Sequence, residues 1–157
     1  VLHWLRSVIY QIRKADPEHL ITIGWSSPEA AVHLKEDVDF VSFHYYKPEE
    51  QLEEDFAILQ EAISKPLVLQ EYGISSYDGF WNPFGYNEED QAAYHQRMQN
   101  FFQENKLSFI SWTLYDFAEV PSSVVGRLPW RKARQKHFGF LNENSTKKPS
   151  FNFISKN

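Results

Sequence analysis

The chain of 157 residues contains no cysteine, which excludes disulfides, zinc–thiolate centres and thiol catalysis. That absence fits a reducing compartment without establishing one. No apolar run approaches the ~18 residues that a membrane-spanning helix needs, so no membrane partner is expected. Basic residues are outnumbered, 16 Lys and Arg against 21 Asp and Glu, and the two signs are mixed along the chain. Without a basic stripe, nucleic acid is not an expected partner. There is no Gly-rich phosphate loop, no serine nucleophile elbow and no metal-ligand spacing among the six histidines. Nucleotide binding, serine hydrolysis and zinc chemistry therefore have no support, and neither cofactor nor metal is expected. No signal peptide is visible. The chain opens at Val1 directly in a helix-like pattern, as a segment cut from a larger protein would, so its compartment stays open.

What the chain has in excess is aromatic surface: 5 Trp, 8 Tyr and 13 Phe, 17% of all residues. A length of 157 residues supports one ordinary core, and the aromatic excess needs an outlet beyond it, a carbohydrate or another flat ligand being one.

The apolar pattern alternates between two periods. Leu2, Leu5, Ile9 and Ile12 recur at helical spacing until Asp16-Pro17. Leu20–Trp25 reads as a strand, Pro28 to Lys35 as a brief helix, and Val38–Phe43 as a second strand running into His44-Tyr45-Tyr46. Pro48 opens a helix with Leu52, Phe56, Leu59 and Ile63 on its apolar face, and Lys65-Pro66 begins a third strand ending at Glu71. Asn87 with Glu88, Glu89 and Asp90 marks a helix start, and Tyr94, Met98, Phe101 and Phe102 form that helix's buried stripe. Leu107–Thr113 is a fourth strand. A long loop is expected from Tyr115 to Gln135, with Trp130 and the basic run Arg131-Lys132-Ala133-Arg134 on it in solvent. His137–Leu141 reads as extended and Pro149–Ile154 as the start of a last helix. Strands alternating with helices predict an α/β fold of four parallel strands with right-handed crossovers. The pattern leaves open whether they form an open sheet or part of a closed barrel.

Functional groups of parallel α/β folds gather at the C-terminal strand ends. Here those ends carry Trp25, His44 with Tyr46, Glu71 and Trp112. A buried strand has no structural need for a terminal glutamate, and desolvating an unpaired one is costly. Glu71 is thus either ion-paired with a lysine or arginine or placed for chemistry. A carboxylate among hydroxyls and indole faces suits glycoside cleavage. The carboxylate attacks the anomeric centre, a tyrosine hydroxyl holds it ionised, and an indole stacks on the sugar. Each residue has a plainer alternative: a satisfied core histidine for His44, a rim cap for Tyr46, core filling for Trp112 and Trp25. The aromatic loop with Tyr77, Phe80, Trp81, Phe84 and Tyr86 reads either as outer sugar subsites or as packing over a barrel mouth.

Four segments in order carry a more specific likeness: Ile21-Thr22-Ile23-Gly24-Trp25, Phe40-Val41-Ser42-Phe43-His44-Tyr45-Tyr46, Pro66-Leu67-Val68-Leu69-Gln70-Glu71-Tyr72-Gly73, and Phe109-Ile110-Ser111-Trp112-Thr113. Together with His137–Leu141 and Lys148–Phe151, they resemble strands five to eight and the close of a clan A glycoside hydrolase (β/α)8 barrel, most similar to family five endoglycanases and mannanases. The resemblance covers nearly the whole chain. It implies a single C-terminal half-barrel, residues 1–157, of a retaining enzyme acting on β-linked oligo- or polysaccharides, with Glu71 as nucleophile. Tyr46 would hydrogen-bond Glu71, His44 would contact the sugar or the acid/base, and Trp112 would floor the subsite of the attacked sugar. Trp25, Trp81 and Tyr77 would serve substrate binding.

A retaining mechanism also needs a second carboxyl group roughly 5 Å from the first. In clan A barrels it is a glutamate after an asparagine at the end of strand four, and no strand end here carries that pair. Glu29, Glu119 and Glu143 lack the context and read as solvated charges. The expectation is a half site, inactive by itself, whose partner is the missing N-terminal half of the barrel. The two open sheet edges also predict self-association. The alternatives are a non-catalytic carbohydrate-binding or structural barrel descended from such an enzyme, and a small open α/β domain with a structural Glu71.

Overall fold

The computed structural model describes residues 1–154. Four strands, β1 (Gly24–Trp25), β2 (Val41–Tyr45), β3 (Leu67–Tyr72) and β4 (Ser108–Ser111), form one sheet in the order β1-β2-β3-β4. The strands are parallel, with helices in the crossovers: α2 (Pro28–Ala31), α3 (Leu52–Ala62) and α4 (Glu88–Asn105), preceded by α1 (Leu2–Ala15). This is the arrangement of half of a (β/α)8 barrel. The chain divides into two compact units, one of Val1–Tyr72 with Leu107–Ile110, the other of Gly73–Lys106 with the described residues from Ser111 onward.

In the first unit α3 behaves as its pattern predicts. Leu52, Phe56, Leu59 and Ile63 are 2–4% exposed, and each such burial contributes about 1.5–3 kcal/mol before entropy is charged. The helix ends at Ala62, where Ile63 turns extended and its N–H still bonds the Leu59 carbonyl, ahead of Lys65-Pro66. Helix α1 departs from expectation. Only Ile9 is buried, while Leu2 and Ile12 are 40% and 45% exposed. Two arginines on its flank fix it instead, Arg6 to Asp37 and Arg13 to Asp39.

Strand β1 pairs over two residues rather than six. Ahead of it, the Asp39 carboxylate takes the Ile21 N–H while Asp39 N donates to the Ile21 carbonyl, so a side chain replaces the ladder. β4 is also shorter than predicted. Past Ser111 the chain bonds elsewhere: Thr113 exchanges bonds with Phe138 and Phe140, and Leu141 N donates to Leu114 O.

In the second unit Asn87 caps α4 through a complete capping box with Asp90. Tyr94, Met98 and Phe102 are buried, Phe101 only partly, and α4 packs on a 3-10 helix at Pro149–Phe153. Ser150 donates to Gln91, whose amide donates to the Ile74 carbonyl. The expected loop from Tyr115 to Gln135 instead contains two helices, α5 (Ser122–Val125) and α6 (Pro129–Lys136). Pro129 at the first helical position starts α6, and the basic run lies on it, not on a loop. Its polar composition hid the helix from apolar periodicity.

Candidate functional site

A one-residue irregularity builds the site. The β2–β3 register runs Val41↔Leu67, Ser42↔Val68 and Phe43↔Leu69, then jumps to His44↔Glu71 and Tyr45↔Tyr72. Gln70 is the extra residue of a β-bulge. Simple alternation from Leu69 would put Glu71 on the face of Phe43 and Tyr45, both 1% exposed. The bulge turns it to the face of His44, and Tyr72 takes the buried place beside Tyr45. The Ser42 hydroxyl, within 2.8 Å of Gln70 Oε1 and 3.1 Å of the Ile23 carbonyl, holds the bulged side chain.

Around Glu71 the first unit assembles two predicted residues. The Tyr46 hydroxyl donates to Glu71 Oε1 at 2.6 Å, a short, charge-assisted distance. His44 Nδ1 lies 3.7 Å from Oε2, close enough for attraction when the imidazole is protonated but longer than a hydrogen bond. The side chains of Glu71 and His44 are 27% and 28% exposed, so the carboxylate is accessible, bonded at one oxygen by Tyr46 and approached at the other by His44. Trp25 is half-buried, with its ring edge-on to His33 at 5.9 Å.

Beside the pair lies a polar network that sequence reading missed. Lys47 pairs with Asp55 and with Glu29, and the Tyr45 hydroxyl donates to Asp55. Glu29, expected as a solvated charge, is 62% exposed and also ion-paired. Its bond from Lys47 lowers the carboxyl to about 2, and bonds to Glu29 and then Asp55 raise the Lys47 ammonium. Burial, then the Asp55 charge, pushes the Tyr45 hydroxyl up. The legible signal was the placement of Lys47 two residues beyond β2, opposite the acidic first turns of α2 and α3.

In the second unit Trp112 is half-buried, its ring 5.9 Å from Phe117. The peptide bond from Trp112 to Thr113 is cis. Gly73 lies so close that a Cβ there would sit 2.2 Å from the Trp112 carbonyl oxygen. Tyr77 and Trp81 belong together: the Tyr77 hydroxyl accepts from Trp81 N at 3.4 Å, and one Tyr77 face stacks on His137 at 5.2 Å. Phe80, Trp81, Phe84 and Tyr86 are all exposed. An open hollow of about 410 Å³ is lined by Tyr77, Asp78, Glu88, Glu89 and His137 among others. Among the described residues no group of His, Asp and Glu is placed to hold a metal ion, and no helix is long and apolar enough to cross a membrane.

The fold defines the class: four parallel strands with crossover helices, half of a (β/α)8 barrel. No protein-family model and no curated protein matches the chain, but solved structures do. The β-1,3-glucanosyltransferase of Rhizomucor miehei, a glycoside hydrolase of family 17, superposes with a TM-score of 0.73 at 15% identity, over 96% of this chain and 57% of that one. The β-D-glucuronidase of Dictyoglomus thermophilum gives 0.73 at 23% identity, over 99% and 29%. The β-glucuronidase of Ruminococcus gnavus gives 0.66 at 19%, over 99% and 29%. The chain spans little more than half of the first relative and under a third of the others. At these identities the likeness is one of fold. It extends to several clan A glycoside hydrolases and is not specific to family five.

Proposed function

We propose that the chain is the nucleophile-bearing half of a retaining glycoside hydrolase acting on β-linked glycans. The observation that carries this reading is the carboxylate of Glu71 at the end of β3, bonded by Tyr46 at 2.6 Å and flanked by His44. In a retaining mechanism Glu71 attacks the anomeric carbon and forms a glycosyl ester as the bond to the leaving oxygen breaks. Tyr46 orients the carboxylate through its hydrogen bond, and His44 contacts the sugar or the acid/base. Trp25 in the first unit, and Trp112, Tyr77 and Trp81 in the second, are the aromatic side chains proposed for sugar binding.

The acid/base comes from a completing half-barrel. Within the described residues β1 pairs only with β2, and β4 only with β3. Phe109 and Ile110 of β4 are 37% and 59% exposed, and Trp4 and Tyr10 of α1 are each 65% exposed. Such edges and apolar faces are covered by an N-terminal half-barrel or, failing that, by another copy of the chain. Sedimentation should then show concentration-dependent association, and a strict monomer throughout would count against it.

The test uses activated aryl 2-deoxy-2-fluoro-β-glycosides, whose leaving group departs without acid assistance. Mass spectrometry should find an adduct on the peptide containing Glu71 and none in Glu71→Gln. The second reading, a non-catalytic glycan-binding half-barrel, draws on the exposed aromatic loop from Phe80 to Tyr86. Tryptophan fluorescence that responds to β-glucan oligosaccharides, with no adduct from any reagent, would favour it and sink the nucleophile.

A further inference from the structure

Tyr46 reaches Glu71 from just beyond the end of β2, and its own side chain is 49% exposed. Packing alone does not fix such a residue, so its neighbours matter. The strand ends at Tyr45 and the chain bends at Lys47, and the side chains of Tyr45 and Lys47 take a different partner from that of Tyr46. Both end on one carboxylate, Asp55 in the first turn of α3. The Tyr45 hydroxyl donates to Asp55 Oδ2 at 3.1 Å, and Lys47 Nζ donates to Oδ1 and Oδ2 at 3.1 and 2.9 Å. Glu29 of α2 pairs with Lys47 as well, and the Tyr45 hydroxyl also meets the Pro48 carbonyl at 3.3 Å. Three consecutive side chains are thus staked alternately, to Asp55, to Glu71 and again to Asp55. Asp55 is only 17% exposed and Lys47 29%, so these bonds are sheltered where the Tyr46 ring is not.

We infer that Asp55 and Lys47 are positioning residues for the Tyr46–Glu71 pair. This rests on the reading of Glu71 as the reactive carboxylate. The network fixes the backbone on either side of Tyr46, so the hydroxyl is aimed before any sugar arrives, which is the preorganisation a reactive carboxylate requires. It also ties α2 to the segment after β2 through Glu29.

The experiment is NMR of the full chain with 13C-labelled tyrosine, because the Cζ signal responds to the acceptor of the hydroxyl. Glu71→Gln defines the displacement for losing the carboxylate. Lys47→Met should move the Tyr46 signal by about half that displacement or more and average its χ1 over rotamers. Lys47→Arg, which keeps charge and reach, should restore the wild-type position. A Lys47 that served stability alone would lower the thermal midpoint and leave the Tyr46 signal in place, which overturns the inference. Asp55→Asn should act like Lys47→Met, and if it fails to fold, the lysine variants decide. Should Glu71→Gln itself leave Tyr46 unmoved, the pair does not exist in solution, and the reading of the site falls with the inference. Movement in Glu71→Gln but in neither Lys47→Met nor Asp55→Asn removes the positioning role alone.

Discussion

Removing the Asp116 carboxylate should unsettle the second unit more than any exposed charge could. Asp116 and Lys148 have side chains 8% and 2% exposed. The lysine ammonium donates to Asp116 Oδ1 at 2.8 Å and to Ser76 Oγ at 3.1 Å, and Gly139 N donates to Asp116 Oδ1 at 2.7 Å. His137 Nδ1 stands 3.6 Å from the other oxygen. Asp116→Asn strands a buried ammonium, which costs about 3–5 kcal/mol. Lys148→Met leaves the carboxylate its bond from Gly139 and the neighbouring His137, so about 2–3 kcal/mol is expected. The double variant buries neither charge and should fall short of the sum by about 1–3 kcal/mol. Urea unfolding at neutral pH, followed by circular dichroism and tryptophan fluorescence, reads all three. The pH dependence has a definite sign. Burial pushes the Asp116 carboxyl up, but the bonds from His137, Lys148 and Gly139 outweigh it and hold the group below its ordinary value. Its stabilisation is therefore present above the unfolded pKa and lost as pH falls through the folded one. The deficit of Asp116→Asn should shrink in acid accordingly. Additive single effects, or an Asp116→Asn cost below about 1 kcal/mol, would refute the claim that this pair is a desolvated unit.

Gly73→Ala should displace the Trp112 carbonyl, since the new Cβ would meet it at 2.2 Å. A shifted indole emission with a lowered thermal midpoint is the expected readout, and an unchanged spectrum would contradict the close approach. His95 is fully buried, with its ring 4.5 Å from that of Phe140, and burial lowers its imidazole to about 3. The unfolded chain binds this proton more readily, so stability should fall by up to about 1.4 kcal/mol per pH unit from about 6.5 downward. His95→Phe should flatten that limb of the pH profile if the ring packs without steric penalty. Asn87→Ala breaks the capping box of α4 and should cost about 1 kcal/mol, measured by thermal denaturation; no change would mean that the helix end is held by other contacts.

How much of this was legible depends on the range of the interaction. The crossover order, the apolar face of α3 and the cap of α4 are local patterns, written in spacings of two and of three to four residues. Glu71 was legible because a carboxylate ending an apolar strand violates that pattern. α6 was not, because Trp130–Lys136 offers no apolar stripe to read. Nor was the shortening of β1, where the ladder at Ile21 is replaced by the side chain of Asp39, 18 residues away in sequence. The alternate staking of Tyr45, Tyr46 and Lys47 depends on where α3 places Asp55. The partners Asp116 and Lys148 stand 32 residues apart, and nothing in either neighbourhood marks them as buried. The bulge at Gln70 was equally silent, since the segment reads as an unbroken strand.

That bulge shapes what heredity and engineering can do at this position. Losing Gln70 would remove the extra residue and leave Glu71 following Leu69 directly, so simple alternation would keep the carboxylate on the face of His44. Pairing Gln70 into the ladder with no residue lost would instead turn the carboxylate over into the apolar layer that Phe43 and Tyr45 occupy. A single-codon deletion at Gln70 should therefore spare the facing of the carboxylate and cost only the contact of Gln70 with Ser42, whereas a substitution of Glu71 removes the carboxylate itself. Libraries that vary length should leave this strand intact and place their insertions after Tyr72. Position 70 acts less as a residue with its own chemistry than as a punctuation mark that sets the phase in which the next one is read.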